Sequence, residues 1–365
     1  MANKVMSLFD YINAPEITAY IKDRPENKIP YFGETLFPAK RQLGTDISWL
    51  KGSNGLPVAI QPSSYDVKAR MRDHSGFESV ATEMAFFREG MRIGEKDRQQ
   101  LNMLLNNPQS DLALPIIRKI FDDASKLVEG VRVQNEIMRM QLLTAGKIDV
   151  TSADGRAKYV YNYGQGNVYK CGKDRAVWGE GNAKADPVRD ILDLLDDMEV
   201  KTGKRPSRLV MARNTFINMI RCPKVHGMMY PDDSAMHMYL SDAKAKAFIE
   251  EVCEVNIFVY SKKVALLDQA TGVGSTTDKA LIPDGVVCVL PSGNLGNTYY
   301  GTTPEESDLM SGTDAQVSIV NSGIAVTTYK EPHPVNVVTI VSACTIPSFE
   351  AIDNCAILKV DAVAD

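Results

Sequence analysis

The chain has 365 residues, of which 44% are hydrophobic and 24% are charged, so it can bury a large core and is not an intrinsically disordered protein. A formal net charge of −5 and a pI near 5.6, without any run of five like charges, argue against a protein that neutralises the phosphates of a nucleic acid. At this length we expect two or more lobes.

Residues 1–45 predict an extended N-terminal arm. Pro15, Pro25, Pro30 and Pro38 lie among short apolar patches, and prolines at this spacing interrupt helices. An extended arm needs a surface on which to lie, so this segment already suggests contacts beyond a single compact domain.

The first residues carry no apolar stretch long enough for a signal peptide, so we expect the chain to fold in the cytosol. Its six cysteines are widely scattered and include no C-x-x-C pair. Reduced, mostly buried thiols are therefore predicted rather than a disulfide framework.

Residues 46–94 predict a long β-hairpin whose first strand alternates strictly between apolar and polar side chains. One face carries Tyr65, Val67, Ala69 and Met71, and the other carries Asp66, Lys68, Arg70 and Arg72. The turn follows at 73–76, and the return segment 77–93 alternates less regularly because Phe86 and Phe87 are adjacent and Gly90 interrupts it. A two-stranded ribbon is marginal in water unless something packs on its apolar face, and a neighbouring subunit is the expected partner. The basic residues either meet an acidic neighbour or form a solvated face.

A short helix is predicted at 95–105 and a long amphipathic helix at 114–145. Pro115 fits only in a first turn, where backbone N–H groups lack partners, and Gly146 suits a left-handed stop. These limits give about 31 residues, or roughly 46 Å. The apolar stripe comprises Ile116, Ile120, Ala124, Leu127, Val131, Met138 and Leu142.

The polar side of the long helix is expected to face solvent, because opposite charges four residues apart, such as Arg132 and Glu136, can pair there. No stretch of about 18 residues in this helix lacks charge, which excludes a membrane span. Gly130 and Gln134 weaken a coiled-coil interpretation. A long core helix of an ordinary domain remains an alternative.

Residues 147–150 and 157–162 flank a turn and predict a second hairpin. From about 185 the pattern changes to alternating helices and strands, which predicts an α/β lobe. Asp186, Pro187 and Gly203 are the cap, first-turn and stop signals of its first helix. Helices are also predicted after 214 and over 242–253, and strands over 208–212, 255–260 and 286–290.

Two apolar strands, 335–342 and 356–360, close the chain. We expect them to pair with the 147–162 hairpin, so that the α/β lobe is an insertion within the lobe begun by the long helix. This pairing is an inference from the order of elements.

No signature of catalysis or cofactor binding stands out. The sequence contains no phosphate-binding loop, and Gly179-Glu180-Gly181 lacks the third glycine of a dinucleotide loop. The four histidines show no metal-ligand spacing, and Cys222 with His226 lacks an orienting motif. We therefore predict no enzyme, no catalytic residue, no cofactor and no metal. A cytosolic α/β enzyme using residues 170–325 is disfavoured for the same reason.

Several stretches, in this order, resemble the major capsid proteins of tailed bacteriophages, and more closely the lambda-type capsid protein E family with its Hong Kong 97 type fold. They are 206–212 (PSRLVMA), 282–291 (IPDGVVCVLP), 295–305 (LGNTYYGTTPE) and 345–350 (TIPSFE). The order of arm, hairpin, long helix, α/β lobe and closing strands fits the same family.

The resemblance implies an α+β fold with a named role for each segment. These are an N-terminal arm (1–45), an extended loop (46–94), a peripheral domain (95–169) with a spine helix at 114–145, an axial domain (170–325) and peripheral closing strands (326–365). The resemblance implies that residues of the loop contact other subunits and that residues of the spine helix form the core of the peripheral domain. The loop residues are Tyr65, Val67, Lys68, Arg70, Met71, Arg72 and Phe77, and the spine residues are Ile116, Ile120, Leu127, Val131 and Met138.

The resemblance also implies the function and partners. Such proteins assemble with themselves as hexamers and pentamers into an icosahedral head, guided by a scaffolding protein, joined to a portal and often stapled by a decoration or cement protein. The shell expands as double-stranded DNA is packaged, without sequence-specific binding and without a membrane. The expected location is the virion, after assembly in the bacterial cytoplasm.

Two further points follow from the resemblance. Some relatives cross-link covalently from a lysine on the extended loop. Lys68 is the only lysine between Val58 and Ile93, and nothing identifies a partner for it, so no cross-link is predicted.

The alternative function is an encapsulin-like shell of the same fold that encloses a cargo enzyme.

Overall fold

The structure is a computed structural model that describes residues 13–23, 30–51, 78–105, 113–151, 158–172, 175–230, 241–267, 276–308, 315–333 and 335–361. These residues form two compact units. The first unit holds the described parts of Met1–Ser48, Ala81–Ile137 and Asn297–Ser348, and the second those of Trp49–Val80, Met138–Gly296 and Phe349–Asp365.

The described helices are α1 (Ala14–Asp23), α2 (Phe32–Leu36), α3 (Glu95–Leu105), α4 (Ala113–Ala145), α5 (Pro187–Thr202), α6 (Arg213–Ile220), α7 (Pro223–Met229), α8 (Asp242–Cys253) and α9 (Pro304–Asp308). The described strands are β1 (Ala39–Arg41), β2 (Asp46–Lys51), β3 (Glu78–Glu83), β4 (Ala85–Ile93), β5 (Lys147–Thr151), β6 (Lys158–Asn162), β7 (Val168–Lys170), β8 (Arg208–Met211), β9 (Asn256–Val259), β10 (Lys263–Leu267), β11 (Thr276–Ala280), β12 (Val286–Leu290), β13 (Thr298–Tyr300), β14 (Gln316–Val320), β15 (Ile324–Pro332), β16 (Val335–Pro347) and β17 (Ala356–Lys359).

The first unit is built on a six-stranded sheet in which β16 is the longest strand, with 13 residues. β16 pairs with β15 over 325–332, with β13 near its end and with β4 over nine residue pairs. β15 is the hairpin partner of β16, but β4 and β13 come from distant parts of the sequence, so β16 also joins chain segments with which it shares no local turn.

Helix α1 corrects the prediction of a fully extended arm. Asn13 caps it, since its Oδ1 accepts a hydrogen bond from the Glu16 amide at 2.9 Å. Pro15 then lies in the first turn, where proline is tolerated. Ile17 and Ile21 are buried in a core shared with the long helix and the sheet. The start of this helix could have been predicted from the stretch Asn13-Ala14-Pro15-Glu16.

The return half of the predicted hairpin is two strands rather than one. β3 pairs with β2, whereas β4 joins the large sheet along β16. A side chain at Gly90 would place its Cβ 3.1 Å from Ile340 Cγ1 and 3.2 Å from the Thr339 carbonyl, so glycine permits this close strand pairing. The irregular alternation of residues 77–93 therefore marks the place where the chain stops pairing with β2 and begins to pair with β16.

The long helix is confirmed, with 33 residues from Ala113 to Ala145 and a left-handed Gly146 (φ 64°) after it. Its predicted solvated face is wrong near the middle. Arg132, Glu136 and Arg139 are all buried. Arg132 pairs with Glu34 of α2, so the N-terminal segment covers charges that the helix alone would expose.

The second unit is an α/β assembly around a five-stranded sheet, ordered β7-β17-β12-β8-β9. Its first helix, α5, is confirmed by its caps. The Asp186 side chain accepts a hydrogen bond from the Arg189 amide at 3.2 Å, and Gly203 adopts a left-handed conformation (φ 72°). The β5–β6 hairpin is confirmed as well.

The predicted pairing of the two closing strands with the 147–162 hairpin is wrong. β16 belongs to the sheet of the first unit, and β17 lies between β12 and β7 in the sheet of the second. β17 is buried over three consecutive residues, a pattern that suits a central strand covered on both faces. The domain boundaries drawn from the resemblance stay predictions.

Among the described helices, none is both long and apolar enough to cross a bilayer.

Candidate functional site

The candidate loop contacts Tyr65, Val67, Lys68, Arg70, Met71, Arg72 and Phe77 lie outside the described residues. The structure does describe both ends of the segment that carries them. β2 leads into it and β3 leads out of it, and the two strands pair with each other. The described part of the site is therefore the base of the loop.

The base is fixed to the first unit by hydrogen bonds that backbone amides donate. The Met84 amide, between β3 and β4, donates to the Thr45 carbonyl at 2.9 Å. The Gly44 amide donates to Thr302 Oγ1 at 3.2 Å, and the Thr302 amide donates back to the Gly44 carbonyl at 3.1 Å. Both ends of the loop thus start from hydrogen-bonded positions.

A groove of about 650 Å³ lies at this base, and we call it the loop-base groove. It is lined by Gly44, Thr45, Glu83, Met84, Phe86, Thr302, Pro304, Ser307, Asp308 and Cys344. Met84 and Cys344 are buried and form its apolar floor together with half-buried Phe86. Glu83 and Asp308 are its exposed acidic lining residues.

Helix α9 forms one wall of the groove and is held by two ion pairs. Buried Glu305 pairs with Arg88 of β4, and its Oε2 accepts a hydrogen bond from Ser342 Oγ at 2.8 Å. Glu306 pairs with Arg41 of β1. The Arg88 guanidinium also lies 4.7 Å from the centroid of the Phe86 ring, a cation–π contact.

The Cys344 thiol at the groove floor is not a reactive nucleophile. Burial, followed by the charges of Glu305 and Glu83, raises its pKa to about 11, although Arg88 acts in the opposite direction. A thiol with that pKa stays protonated near neutral pH. Its role is packing.

The spine candidates fall on both units. Val131 is buried in the core of the first unit, and half-buried Ile120 and Leu127 pack against that core. Met138 is buried in the second unit. Ile116 lies within the helix bounds, but its side chain is outside the described set.

Beside the spine, α2 is attached through a polar cluster. Arg132 Nε donates to Glu34 Oε1 at 3.2 Å, and Glu136 accepts a hydrogen bond from the Gly33 amide at 2.9 Å. The Tyr31 hydroxyl donates to Glu129, and burial together with this bond raises the pKa of Tyr31 far above its usual value. Sequence reasoning missed this cluster because its partners are about 100 residues apart.

A second polar site lies deeper in the first unit. Asn135 Nδ2 donates to the Tyr300 hydroxyl at 3.0 Å, and its Oδ1 accepts a hydrogen bond from Thr345 Oγ1 at 3.1 Å. All three side chains are buried. Together they connect the long helix to β13 and β16.

In the second unit, the surroundings of buried Asp190 indicate a structural role for this carboxylate. Burial is the largest effect on its carboxyl and raises its pKa, while the Trp178 indole N–H, which donates at 2.9 Å, and Arg175 act in the opposite direction. Trp178 is buried in the core. The Cys222 thiol donates to the Asn218 carbonyl at 3.2 Å, and burial raises its pKa too, so it is unsuited to nucleophilic attack.

The other cysteines are free and buried as well. Within the described ranges, no group of three or more His, Cys, Asp or Glu side chains could hold a metal ion.

The second unit exposes large apolar side chains that sequence patterns had not singled out. They are Val160, Val168, Val200, Met228, Val252, Phe258 and Val259. Phe258 and Val259 lie on β9, an edge strand of the five-stranded sheet. Exposed apolar residues at a sheet edge are common in surfaces that associate.

The fold is that of capsid shell proteins. The putative capsid protein of a prophage of Escherichia coli CFT073 matches with a TM-score of 0.60 at 14% identity, covering 96% of this chain and 99% of that one. A phage-related protein of Bordetella bronchiseptica RB50 matches with a TM-score of 0.52 at 12% identity, over 97% and 99% of the two chains. At these identities the comparisons establish the fold alone, and it is the Hong Kong 97 type predicted from the sequence.

The holo-SrpI encapsulin complex of Synechococcus elongatus PCC 7942 is a weaker match, with a TM-score of 0.40 at 11% identity over 93% and 91% of the chains. This similarity is too low to support an argument about function. No match was found among curated proteins.

The amino-acid sequence shows to which family the chain belongs. The model of the family described as phage major capsid protein E matches residues 13–360, so the chain belongs to that family. It is therefore a structural protein of the phage virion that associates with itself in the capsid shell. The resemblance described from the sequence is confirmed.

Proposed function

We propose that the chain is the major shell subunit of an icosahedral phage head, assembling as hexamers and pentamers around double-stranded DNA. The observation that carries the proposal is the family match across residues 13–360. Assembly is guided by a scaffolding protein and completed by expansion as DNA enters through a portal. Lambda-type relatives also suggest a decoration protein on the outer surface.

In this proposal the extended loop covers a neighbouring subunit. Its alternating strand places Tyr65, Val67 and Met71 on one apolar face, and burial against a neighbour removes that face from water. The hydrogen bonds at Gly44, Thr45 and Met84 support this role because they hold the residues next to both ends of the β2–β3 pair in place.

The remaining regions have complementary roles. The second unit, with its exposed apolar residues at β9, contributes the contacts around the capsomer axis. The first unit, with its large sheet and spine helix, contributes the contacts between capsomers. The proposal requires neither region to recognise a DNA sequence, and the net charge of −5 agrees with this.

The test is a triple substitution on the apolar face of the loop, Tyr65→Ser, Val67→Ser and Met71→Ser. We expect subunits that fold normally by circular dichroism and thermal melting but do not form closed shells by electron microscopy. The matched control, Tyr65→Phe, Val67→Ile and Met71→Leu, keeps the same face apolar and should assemble.

Closed shells in normal yield from the serine variant would contradict the proposed role of the loop. Particles from the phage that enclose protein cargo instead of DNA would contradict the genome-enclosing function and favour an encapsulin-like shell.

A further inference from the structure

We propose that the Glu250 side chain protects the open edge of β9 and prevents this strand from pairing with β9 of a second copy. The proposal goes beyond the proposed function and does not depend on it, since it concerns the folded subunit before assembly. It is also compatible with side-chain contacts of β9 in a shell, because the carboxylate occupies a backbone group only.

β9 lies at the end of the five-stranded sheet and pairs with β8 alone among the described strands. The two strands run parallel, and the amides of Asn256 and Tyr260 donate toward β8 at 2.8 and 2.9 Å. Successive residues of a strand direct their backbone groups to opposite sides, so the N–H and C=O groups of Ile257 and Val259 point away from β8. These outward groups form the open edge.

Glu250 occupies the first donor of this edge. The Ile257 amide donates to Glu250 Oε1 at 2.7 Å, a short hydrogen bond to a charged acceptor. Lys246 Nζ lies 3.7 Å from the same oxygen, one helical turn earlier on α8. The carboxylate therefore stands where a carbonyl of an added strand would bind, and its negative charge repels such a carbonyl.

The turn between α8 and β9 brings the carboxylate to the edge. Glu254 ends the helix in a left-handed conformation (φ 54°), which is unfavourable for a residue with a Cβ, and its amide donates to the Glu250 carbonyl. The Val255 amide donates to the same carbonyl at 3.2 Å. Because only residues 254 and 255 separate α8 from β9, the last turn of the helix stays beside the strand and Glu250 reaches Ile257.

Without this protection the edge favours association. Phe258 and Val259 are 40% and 37% exposed, although both are large apolar residues. Outward backbone groups beside exposed apolar side chains are a template for another extended segment. A second copy is the expected partner, because it presents the same apolar residues and the same outward groups, and because copies of this chain meet one another when the shell forms.

The first experiment removes the carboxylate. Glu250→Ala should make unassembled subunits aggregate roughly 10-fold faster, the factor expected for the loss of one hydrogen bond to a charged group, by light scattering and thioflavin T fluorescence. Glu250→Gln keeps an oxygen that accepts from the Ile257 amide and should stay close to the wild type. Glu251→Ala, at the exposed neighbouring position of α8, is the matched control and should have no effect.

Two results of this experiment would overturn the proposal. One is a Glu250→Ala variant that aggregates no faster than the wild type. The other is a Glu250→Gln variant that aggregates as fast as Glu250→Ala, since the hydrogen bond to Ile257 would then protect nothing.

The second experiment separates edge pairing from loss of stability. Val259→Pro removes an outward N–H group, a change that edge strands tolerate. Added to Glu250→Ala, it should return the aggregation rate toward that of the wild type, while circular dichroism shows that the subunit is folded. General unfolding would not be corrected by a proline in β9.

Ile249→Val supplies the control for stability. Ile249 is buried on the same helix, so the substitution weakens the subunit without changing the edge. At temperatures where the two variants have the same unfolded fraction, Ile249→Val should aggregate more slowly than Glu250→Ala. Equal rates, or a proline variant that aggregates as fast as Glu250→Ala alone, would mean that Glu250 acts through stability and would overturn the proposal.

Discussion

The two units differ in how their chain segments are joined. In the second unit, helices and strands alternate along the sequence, and a helix such as α5 begins and ends at its own local signals, Asp186 and Gly203. In the first unit, β16 holds together β4, β13 and β15, and α1 packs on a helix about 100 residues further along the chain.

This difference has an energetic consequence. In the large sheet of the first unit only β14, β15 and β16 pair as consecutive hairpins, whereas β1, β4 and β13 depend on partners from distant segments. The polar groups of this unit are also buried by partners that only the complete fold supplies, as at Asn135 and Arg132. Mutations at such contacts should therefore have larger effects in the first unit than the loss of a local cap has in the second.

The largest effect is expected for Ile17→Ala. Ile17 is fully buried against the core that contains Ala124 and Val128, so the substitution should lower the free energy of unfolding of the subunit by about 2–5 kcal/mol. Chemical denaturation of unassembled subunits measures it, and hydrogen exchange should show faster exchange in the first unit only. The exposed Lys22→Ala on the same helix is the control. Equal, small effects of both changes would mean that α1 is a loose arm after all.

A smaller loss is expected for Asn135→Leu. The substitution leaves the buried Tyr300 hydroxyl and Thr345 Oγ1 without their partner, which should cost about 1–3 kcal/mol of unfolding free energy. Gln134→Ala, on the half-buried neighbouring position of the same helix, should change stability much less. A neutral outcome for Asn135→Leu would show that this polar contact is dispensable.

The smallest effect is expected for Asp186→Ala in the second unit. It removes the cap of α5 and the ion pair with Lys224 Nζ at 3.1 Å, and should cost about 1 kcal/mol. Asp186→Asn keeps a capping oxygen and loses only the charge, so it should retain most of the stability. If alanine and asparagine were equally destabilising, the exposed ion pair rather than the cap would be responsible.

The same contrast explains which features could be predicted from the sequence. The α5 boundaries, the β5–β6 hairpin and the end of the long helix at Gly146 each depend on neighbours within a few residues, and all three are confirmed. Family membership was also recognisable, because ordered motifs such as residues 282–291 are visible without the fold.

What could not be predicted depends on partners far away in sequence. The i,i+4 spacing of Arg132 and Glu136 is typical of a solvated helix face, but both side chains are buried and contact α2, about 100 residues earlier. The two closing strands separate into different sheets because β17 fits between β12 and β7, a choice that its apolar composition alone does not encode. Likewise, the loop-base groove combines residues from four separate segments of the sequence.

The pairing of β4 with β16 bears on how the subunit would carry mechanical load. β3 leads from the extended loop and is followed directly by β4, which is hydrogen-bonded to β16 over nine residue pairs. A pull directed along the axis of β4 would act parallel to these paired strands. It would load these pairs together in shear, instead of opening them one at a time, and strands loaded in that direction resist separation best. A load applied to this end of β4 would thus be shared by all nine residue pairs of the sheet.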